Sequence, residues 1–334
     1  MKIVIPMAGW GSRLRPHTLT IPKPMVKIAG KPIVQRLAEN LVQSVDGEVE
    51  SIHFIIREEF GKETEQKLLE VADSLNTKGI ISYQDEPLGT AHAIYCAKES
   101  LEGNVIVAFA DTLFKTNFKI DAEKDGVIWV NRVENPSAFG VVKLDKDNVI
   151  TDFIEKPEKF ITDLAIIGIY YFKDGAALSK EIKYLLDNDI KEKGEFQLTN
   201  ALENLKKKGA KFIPGEVVEW LDCGNKDACI YTNQRILEIV KEEENLSFTN
   251  QIEDSMIIEP CFIGKNVKIK NSVVGPHVSI GNETVLENAI VKNSILQENC
   301  LIQNSVIENG MLGNKVQVVK KAEDYSLGDY TTIK

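Results

Sequence analysis

The sequence predicts an α/β protein: a doubly wound mixed sheet, followed by a short left-handed parallel β-helix. Three observations carry this. Apolar runs alternate with helical patterns through roughly the first 110 residues. Strand-like segments crowd together between residues 126 and 172. From about residue 255 a repeat near six residues takes over.

Residues 2–7 (KIVIPM) form an apolar run that stops at glycines, the pattern of a buried strand. Pro32 suits a first helical turn, and Ile33, Leu37 and Leu41 follow at helical spacing. Residues 51–57 (SIHFIIR) read as a second strand and 60–76, rich in Glu and Lys, as an exposed helix. Residues 80–84 read as a third strand and 90–101 (TAHAIYCAKESL) as a helix. The strongest apolar run, 104–109 (NVIVAF), reads as a central strand stopping before Asp111. This alternation predicts a parallel, Rossmann-like sheet. Segments 126–131, 139–144, 149–154 and 166–172 then add antiparallel or mixed strands. Residues 195–208 and 226–243 read as helices, the second running into the charged KEEEN.

Further on, Ile263, Ile269, Val274, Ile280, Leu286, Val291, Leu296, Ile302, Ile307 and Leu312 recur at steps of five or six. Gly264, Gly275, Gly281 and Gly313 each follow one of them, and Asn-Ser returns at 271–272, 293–294 and 304–305. Stacked hexapeptide coils have this texture, and at ~18 residues per coil three to four coils fit. The expected organisation is a first domain over 1–243, a linker over 244–255 and the β-helix with a C-terminal tail over 256–334.

The net charge of −10 disfavours a general nucleic-acid binder, whose footprint is a basic face. It leaves room for a small anionic substrate held by a local basic loop. Five cysteines without a Cys-x-x-Cys pair argue against a disulfide scaffold and a structural zinc site. The N-terminus lacks a signal-peptide pattern and no run of ~18 apolar residues occurs, so a cytoplasmic protein without a membrane partner is expected.

The stretch 6–24, PMAGWGSRLRPHTLTIPKP, concentrates proline, glycine and positive charge directly after the first strand. It lacks the third glycine of a dinucleotide-binding loop and the Gly-Lys-Ser/Thr of a Walker loop. Gly9 and Gly11 would let backbone N–H groups approach phosphate oxygens, Arg13 and Lys23 would add charge, and Pro16 and Pro22 would stiffen the loop. On these residues alone a basic surface turn is the simplest reading.

The ordered pattern Gly9-x-Gly11-Ser12-Arg13-x-x-Pro16-x-Thr18-x-x-x-Pro22-Lys23, then Gly30-Lys31-Pro32, resembles the signature of sugar-1-phosphate nucleotidyltransferases. The resemblance implies that fold over about residues 1–240, with a β-helix as a frequent C-terminal appendage. It implies catalytic roles for Arg13 and Lys23, and nucleotide contacts from Ala8, Gly9, Gly11 and Ser12. The segment Gln84-Asp85-Glu86-Pro87-Leu88-Gly89-Thr90-Ala91-His92-Ala93 resembles the base-reading part of members that use uracil or thymine nucleotides, with Gln84, Pro87, Gly89 and Thr90 as contacts. An amide suits an imide edge, having both a donor and an acceptor. His92 is expected to be a structural helix residue. Asp111 and Asp222 resemble the family's metal carboxylates, a pair that with triphosphate oxygens makes a typical Mg²⁺ shell. Gly140, Glu155, Lys156, Gly168, Tyr170 and Glu195 match sugar-phosphate segments.

The implied substrates are an NTP, dTTP or UTP, and a sugar 1-phosphate, with glucose 1-phosphate foremost. GTP with mannose 1-phosphate, or UTP with N-acetylglucosamine 1-phosphate, are the alternatives, and a non-catalytic sugar-nucleotide-binding subunit is a third reading. The chain departs from the pattern at Trp10, where many members carry glycine, at Ala110, and at Ile167, where many carry Asn or Thr. The repeat holds one histidine, His277, and the β-helix is expected to serve oligomerisation or regulation rather than acyl transfer. A homo-oligomer through the β-helix or the catalytic domain is expected, since exposed coil ends can pair.

Overall fold

The structure is a computed structural model that describes residues 1–115, 119–240, 251–321 and 325–333. The chain forms two compact units: Met1–Val26 with Lys31–Asn225, and Lys27–Gly30 with Lys226–Lys334. The expected boundary at 243 and the first part of the expected linker, 244–250, lie outside the described residues.

The first unit is built on a nine-stranded sheet. Strands β1 (Lys2–Pro6), β2 (Ser51–Ile56), β3 (Lys78–Tyr83) and β4 (Val105–Ala108) are parallel in the order β3-β2-β1-β4. Every residue of β2 and β4 is buried, as expected of parallel strands covered on both faces. Because β2 lies on one side of β1 and β4 on the other, a crevice opens at their carboxyl ends, where ligands bind in such sheets. Helices α1 (Ile33–Gln43), α2 (Gly61–Ser74) and α3 (Thr90–Tyr95) supply the crossovers.

The sheet then changes direction. After the short β5 (Thr112–Lys115) come β6 (Gly126–Arg132), β7 (Gly140–Leu144), β8 (Ile150–Glu155) and β9 (Leu164–Phe172). Strand β9 runs antiparallel to β4, β6 and β7, and β7 pairs with β8. This is the mixed addition that the crowded strand segments predict. The register of β9 against β6 jumps between Ile166 and Tyr170, a bulge with Gly168 in left-handed backbone at φ 86°.

Helices α4 (Gly175–Asp187) and α5 (Leu198–Lys207) and strands β10 (Phe212–Glu216) and β11 (Glu219–Asp222) complete the unit. Helix α4 adds to the expected elements, although its signals stand in the sequence. Asp174 caps it by accepting from the Ala177 N–H at 3.0 Å, and Leu178, Ile182 and Leu185 are buried on one face. The helix expected over 90–101 is shorter because the chain turns after Tyr95 into a 3₁₀ turn at Lys98–Ser100. The helix expected from 195 begins at Leu198, because the Phe196 backbone is engaged with Leu88 and Ala91.

In the second unit, residues 251–319 wind into parallel coils with three faces. One face stacks Gln251–Glu253, Lys268–Lys270, residues 285–287, residues 301–303 and Gln317–Val319. The others stack from Met256–Ile257 and from Cys261–Ile263. Partners lie 17 residues apart in the first coils, as Ile269 and Leu286, and 16 in the last, as Leu286 and Ile302. The corners use left-handed asparagines, and Asn271 donates to Asn288, which donates to Asn304. The interior is a second apolar core of Ile263, Ile269, Val274, Ile280, Leu286, Val291, Leu296 and Ile302. Helix α6 (Lys226–Val240) packs within this unit through Asn233, whose buried amide accepts from Ser279 Oγ at 2.7 Å and from the Ala29 N–H at 2.9 Å.

Candidate active site

The loop after β1 forms one wall of a cleft of about 510 Å³ in the first unit. Gly11 has φ 75°, and a Cβ there would lie 2.6 Å from Lys23 Cβ. Glycine is therefore required twice at this position, for its backbone and for its neighbour. The Gly11 carbonyl accepts from Leu14 N–H at 2.9 Å and from the buried Thr18 hydroxyl at 2.8 Å, which fixes the turn carrying Arg13. Lys23 is buried against this turn and extends its ammonium to Asp111 at 3.2 Å.

Asp111 stands just beyond β4, at the carboxyl end of the central strand. Strands β5 and β11 pair antiparallel with Thr112 opposite Asp222, and the Cys223 N–H donates to the Asp111 carbonyl at 3.1 Å. Two aspartates far apart in sequence are thus brought side by side by one short ladder. The β9 bulge supports the same corner: Thr112 Oγ1 donates to the Ile167 carbonyl at 2.8 Å, and Phe109 N–H to the Gly168 carbonyl at 2.9 Å. Burial pushes the Asp222 carboxyl above its ordinary range. The Gly224 N–H, Lys23 and Arg13 oppose that shift, while Asp111 adds to it. The four charged groups expected to act together therefore share one electrostatic neighbourhood.

No group of three His, Cys, Asp or Glu side chains that could hold a metal occurs among the described residues. Two carboxylates beside an open cleft fit a cation completed by substrate oxygens, as Mg²⁺ is commonly held.

At the other end of the cleft, Gln84 is buried, and its Nε2 donates to the Gly89 carbonyl at 3.2 Å and lies 3.1 Å from His92 Nδ1. Burial lowers the His92 pKa, which favours the neutral ring that can accept from Gln84. Gly89 has φ 113°, and a Cβ there would lie 2.5 Å from the Phe196 carbonyl oxygen. The Phe196 backbone clamps this segment by donating to Leu88 and accepting from Ala91, both at 2.9 Å. Thr90 Oγ1 accepts from the Leu198 N–H at 2.9 Å. Pro87 and Glu195 line the same cleft, as do Ala8, Gly9 and Ser12.

Of the sugar-side candidates, Gly140 lies opposite Glu155 in the β7–β8 ladder. Glu155 sits 3.6 Å from the Lys156 ammonium and accepts from Thr199 at 3.4 Å. Burial raises its pKa, with Lys156 opposing and Glu192 adding. Tyr170 belongs to the apolar core, edge-on to Phe109 and stacked with Phe172, and is not on the cleft wall. Its phenol is pushed upward by burial, then by Glu155 and Asp111.

Two cations join the site without having been expected from the sequence. Arg57 lines the cleft, with Nε donating to the Ala8 carbonyl at 2.8 Å and a terminal nitrogen to the Asp85 carbonyl at 3.2 Å. The signal that could have found it is a basic residue at the carboxyl end of a parallel strand. Lys193 donates to the Lys156 carbonyl at 2.6 Å, and no sequence pattern marks it.

A glycine-bearing loop, a lysine–carboxylate cluster and a clamped amide are gathered at the carboxyl ends of a doubly wound sheet, where α/β proteins of this class bind their ligands. A family model described as Nucleotidyl transferase matches residues 2–239, and the chain belongs to that family. It is 31% identical over 271 residues to a "Bifunctional protein GlmU" of Methanococcus maripaludis, covering 78% of this chain and 62% of that protein. It is 32% identical to the "Low-salt glycan biosynthesis nucleotidyltransferase Agl11" of Haloferax volcanii, over 71% of this chain and 66% of that one. A third relative, the "Mannose-1-phosphate guanylyltransferase catalytic subunit beta" of Drosophila pseudoobscura pseudoobscura, is 37% identical over 54% of this chain and 50% of that one. The chain spans about six tenths of the length of the GlmU relatives it matches. The crystal structure of a putative glucose-1-phosphate thymidylyltransferase from Bacillus anthracis, in complex with a sucrose, shares the fold. Its TM-score is 0.60 at 20% identity, over 74% of this chain and 97% of that one. Among the described residues no helix is long and apolar enough to cross a membrane.

Proposed function

We propose that the protein transfers a nucleoside monophosphate from an NTP to a sugar 1-phosphate, releasing pyrophosphate and forming an NDP-sugar. The observation that carries this is the cluster of Arg13, Lys23, Asp111 and Asp222 beneath the glycine loop. The sugar phosphate is already an anion, so an oxygen of it attacks the α-phosphorus without a general base. The new P–O bond forms in line as the bond to the β-phosphate bridging oxygen breaks, and pyrophosphate leaves with that electron pair. The barrier is repulsion and misalignment between two polyanions, which fixed cations and positioning lower. Arg13 holds the departing pyrophosphate, and Lys23, kept in place by Asp111, offsets charge at the reacting phosphorus. Asp111 and Asp222 would hold Mg²⁺, which when bound neutralises triphosphate charge.

The nucleotide is UTP or dTTP in this reading. The Gln84 amide nitrogen is engaged with Gly89 and His92, which leaves its carbonyl oxygen to accept from an imide N–H. Gly140, Glu155 and Lys156 receive the sugar phosphate, with glucose 1-phosphate as the first candidate. A panel of dTTP, UTP and GTP against the 1-phosphates of glucose, mannose and N-acetylglucosamine, read by pyrophosphate release with Mg²⁺, tests it. Release with a uracil or thymine nucleotide and glucose 1-phosphate supports the reading. Release only with GTP and mannose 1-phosphate, or only with N-acetylglucosamine 1-phosphate, reassigns the substrate. Binding without release would make the chain a non-catalytic sugar-nucleotide-binding subunit. The β-helix, whose His277 is paired with Glu238 at 3.0 Å, serves assembly or regulation in this reading, with the protein a cytoplasmic homo-oligomer.

A further inference from the structure

Trp10 stands between the two loop glycines and has no part in the transfer chemistry described above. Its indole is half-buried, lines the cleft, and meets Phe60 edge-on with ring centroids 5.1 Å apart. The Phe60 segment is tied to both sides of the cleft. Arg57 donates to Ala8 in the loop and to Asp85 in the base-reading segment, and the Glu58 N–H donates to Asp85 Oδ1 at 3.2 Å. Trp10, Gln84 and Pro87 line one cleft, and Arg57 joins the loop to the segment that carries Gln84 and Pro87.

Lys23 and Asp111 occupy the cleft as a charged pair, whereas an indole offers a flat, desolvating face suited to another flat ring. An edge-on partner fixes the plane of that ring without covering its remaining face. From this we propose that Trp10 is the wall on which the nucleobase stacks. Gln84 reads the edge of the base and Trp10 holds its face. The inference rests on the proposed nucleotidyl transfer and adds the residue that supplies base affinity. Every base has a π-face, so Trp10 contributes affinity and Gln84 discriminates.

The chain has three tryptophans: Trp129 is buried in the core, and Trp220 is half-buried against Phe139 on the strand that carries Asp222, so Trp10 is a usable reporter in a Trp220→Phe background. The experiment titrates the full chain with UTP and with dTTP while exciting indole fluorescence, in the Trp220→Phe background with and without Trp10→Phe. Initial rates of pyrophosphate release are measured in the wild type and in Trp10→Ala. The expected result is a nucleotide-dependent fluorescence change that disappears in Trp10→Phe. Trp10→Ala should raise the nucleotide KM by roughly 5- to 100-fold, the scale of one base–aromatic stack, and leave the sugar-phosphate KM unmoved. An undiminished fluorescence change in Trp10→Phe would overturn the proposal. So would a Trp10→Ala enzyme with wild-type nucleotide KM, or one in which both KM values rise together as in a merely loosened loop. Turnover in the wild type with either of these results removes the stacking role alone. Absence of both binding and turnover in the wild type removes the stacking role together with the nucleotidyl-transfer reading.

Discussion

The cleft of the first unit and the corners of the β-helix both force the chain into left-handed backbone, and they do so with different residues. At the corners the residue is usually asparagine, as at positions 271, 288, 293, 299, 304 and 309. In the cleft it is glycine, at 11 and 89. Asparagine tolerates that backbone while its amide bonds to the coil below, as Asn288 donates to Asn304 at 3.0 Å. At these two glycines there is no room for a Cβ: Lys23 fills the space beside Gly11, and the Phe196 backbone fills that beside Gly89. One region uses strained backbone to build a stack, the other to pack a lysine and an amide segment along a cleft.

This contrast can be broken experimentally at several points. The largest effect belongs to Lys23→Ala, which should lower turnover by ~10²-fold or more, the scale of one lost transition-state charge contact. Circular dichroism should remain that of the wild type. Near-normal pyrophosphate release would remove Lys23 from the chemistry.

Asp222→Asn separates activity from stability. The folded-state pKa of Asp222 is raised, so the native state favours the protonated form. Its contribution to stability is full below the ordinary carboxylate pKa and is lost as pH rises through the raised value. Asp222→Asn should therefore melt higher than the wild type at pH 7, with the gap closing near pH 3, while activity falls at pH 7. An equal or lower Tm at pH 7 would contradict the assigned burial cost.

Gly11→Ala should cost about 1–2 kcal/mol, the penalty of a left-handed alanine, and should also lower activity by displacing Lys23. Gly9 is exposed, and a methyl group added there would meet no atom within 4 Å, so Gly9→Ala should disturb Lys23 far less. The smallest effect belongs to Asn288→Gly. It keeps the backbone freedom and loses two rungs of the amide ladder, a cost of about 1 kcal/mol by thermal melting with turnover unchanged.

The same contrast decides what is legible in the sequence. The β-helix announces itself because each coil repeats the last, so Ile269, Leu286 and Ile302 mark one interior position three times. The parallel strands are legible because two buried faces demand continuous apolar runs. The cleft occurs once and carries no period. Its loop is legible only through the order of Gly11, Arg13, Pro16, Pro22 and Lys23. The pairing of Asp111 with Asp222 depends on a four-residue ladder between β5 and β11, too short to leave a pattern. Tyr170 illustrates a different case: its segment looks family-like, and its ring packs into the core from β9 while its phenol feels Glu155 and Asp111. Arg57 escapes notice because its role is set by two backbone carbonyls, which no side-chain motif records.

In the proposed transfer the sugar phosphate's own oxygen attacks the α-phosphorus, with the protein supplying charge and alignment and no covalent intermediate. The most direct test is the stereochemical course of transfer from a nucleoside triphosphate made chiral at the α-phosphorus with sulfur. A single in-line displacement gives an NDP-sugar with inverted configuration at that phosphorus, and this is the expected result. Retention would mean two displacements through a nucleotidylated side chain, and would rule out direct attack by the sugar phosphate.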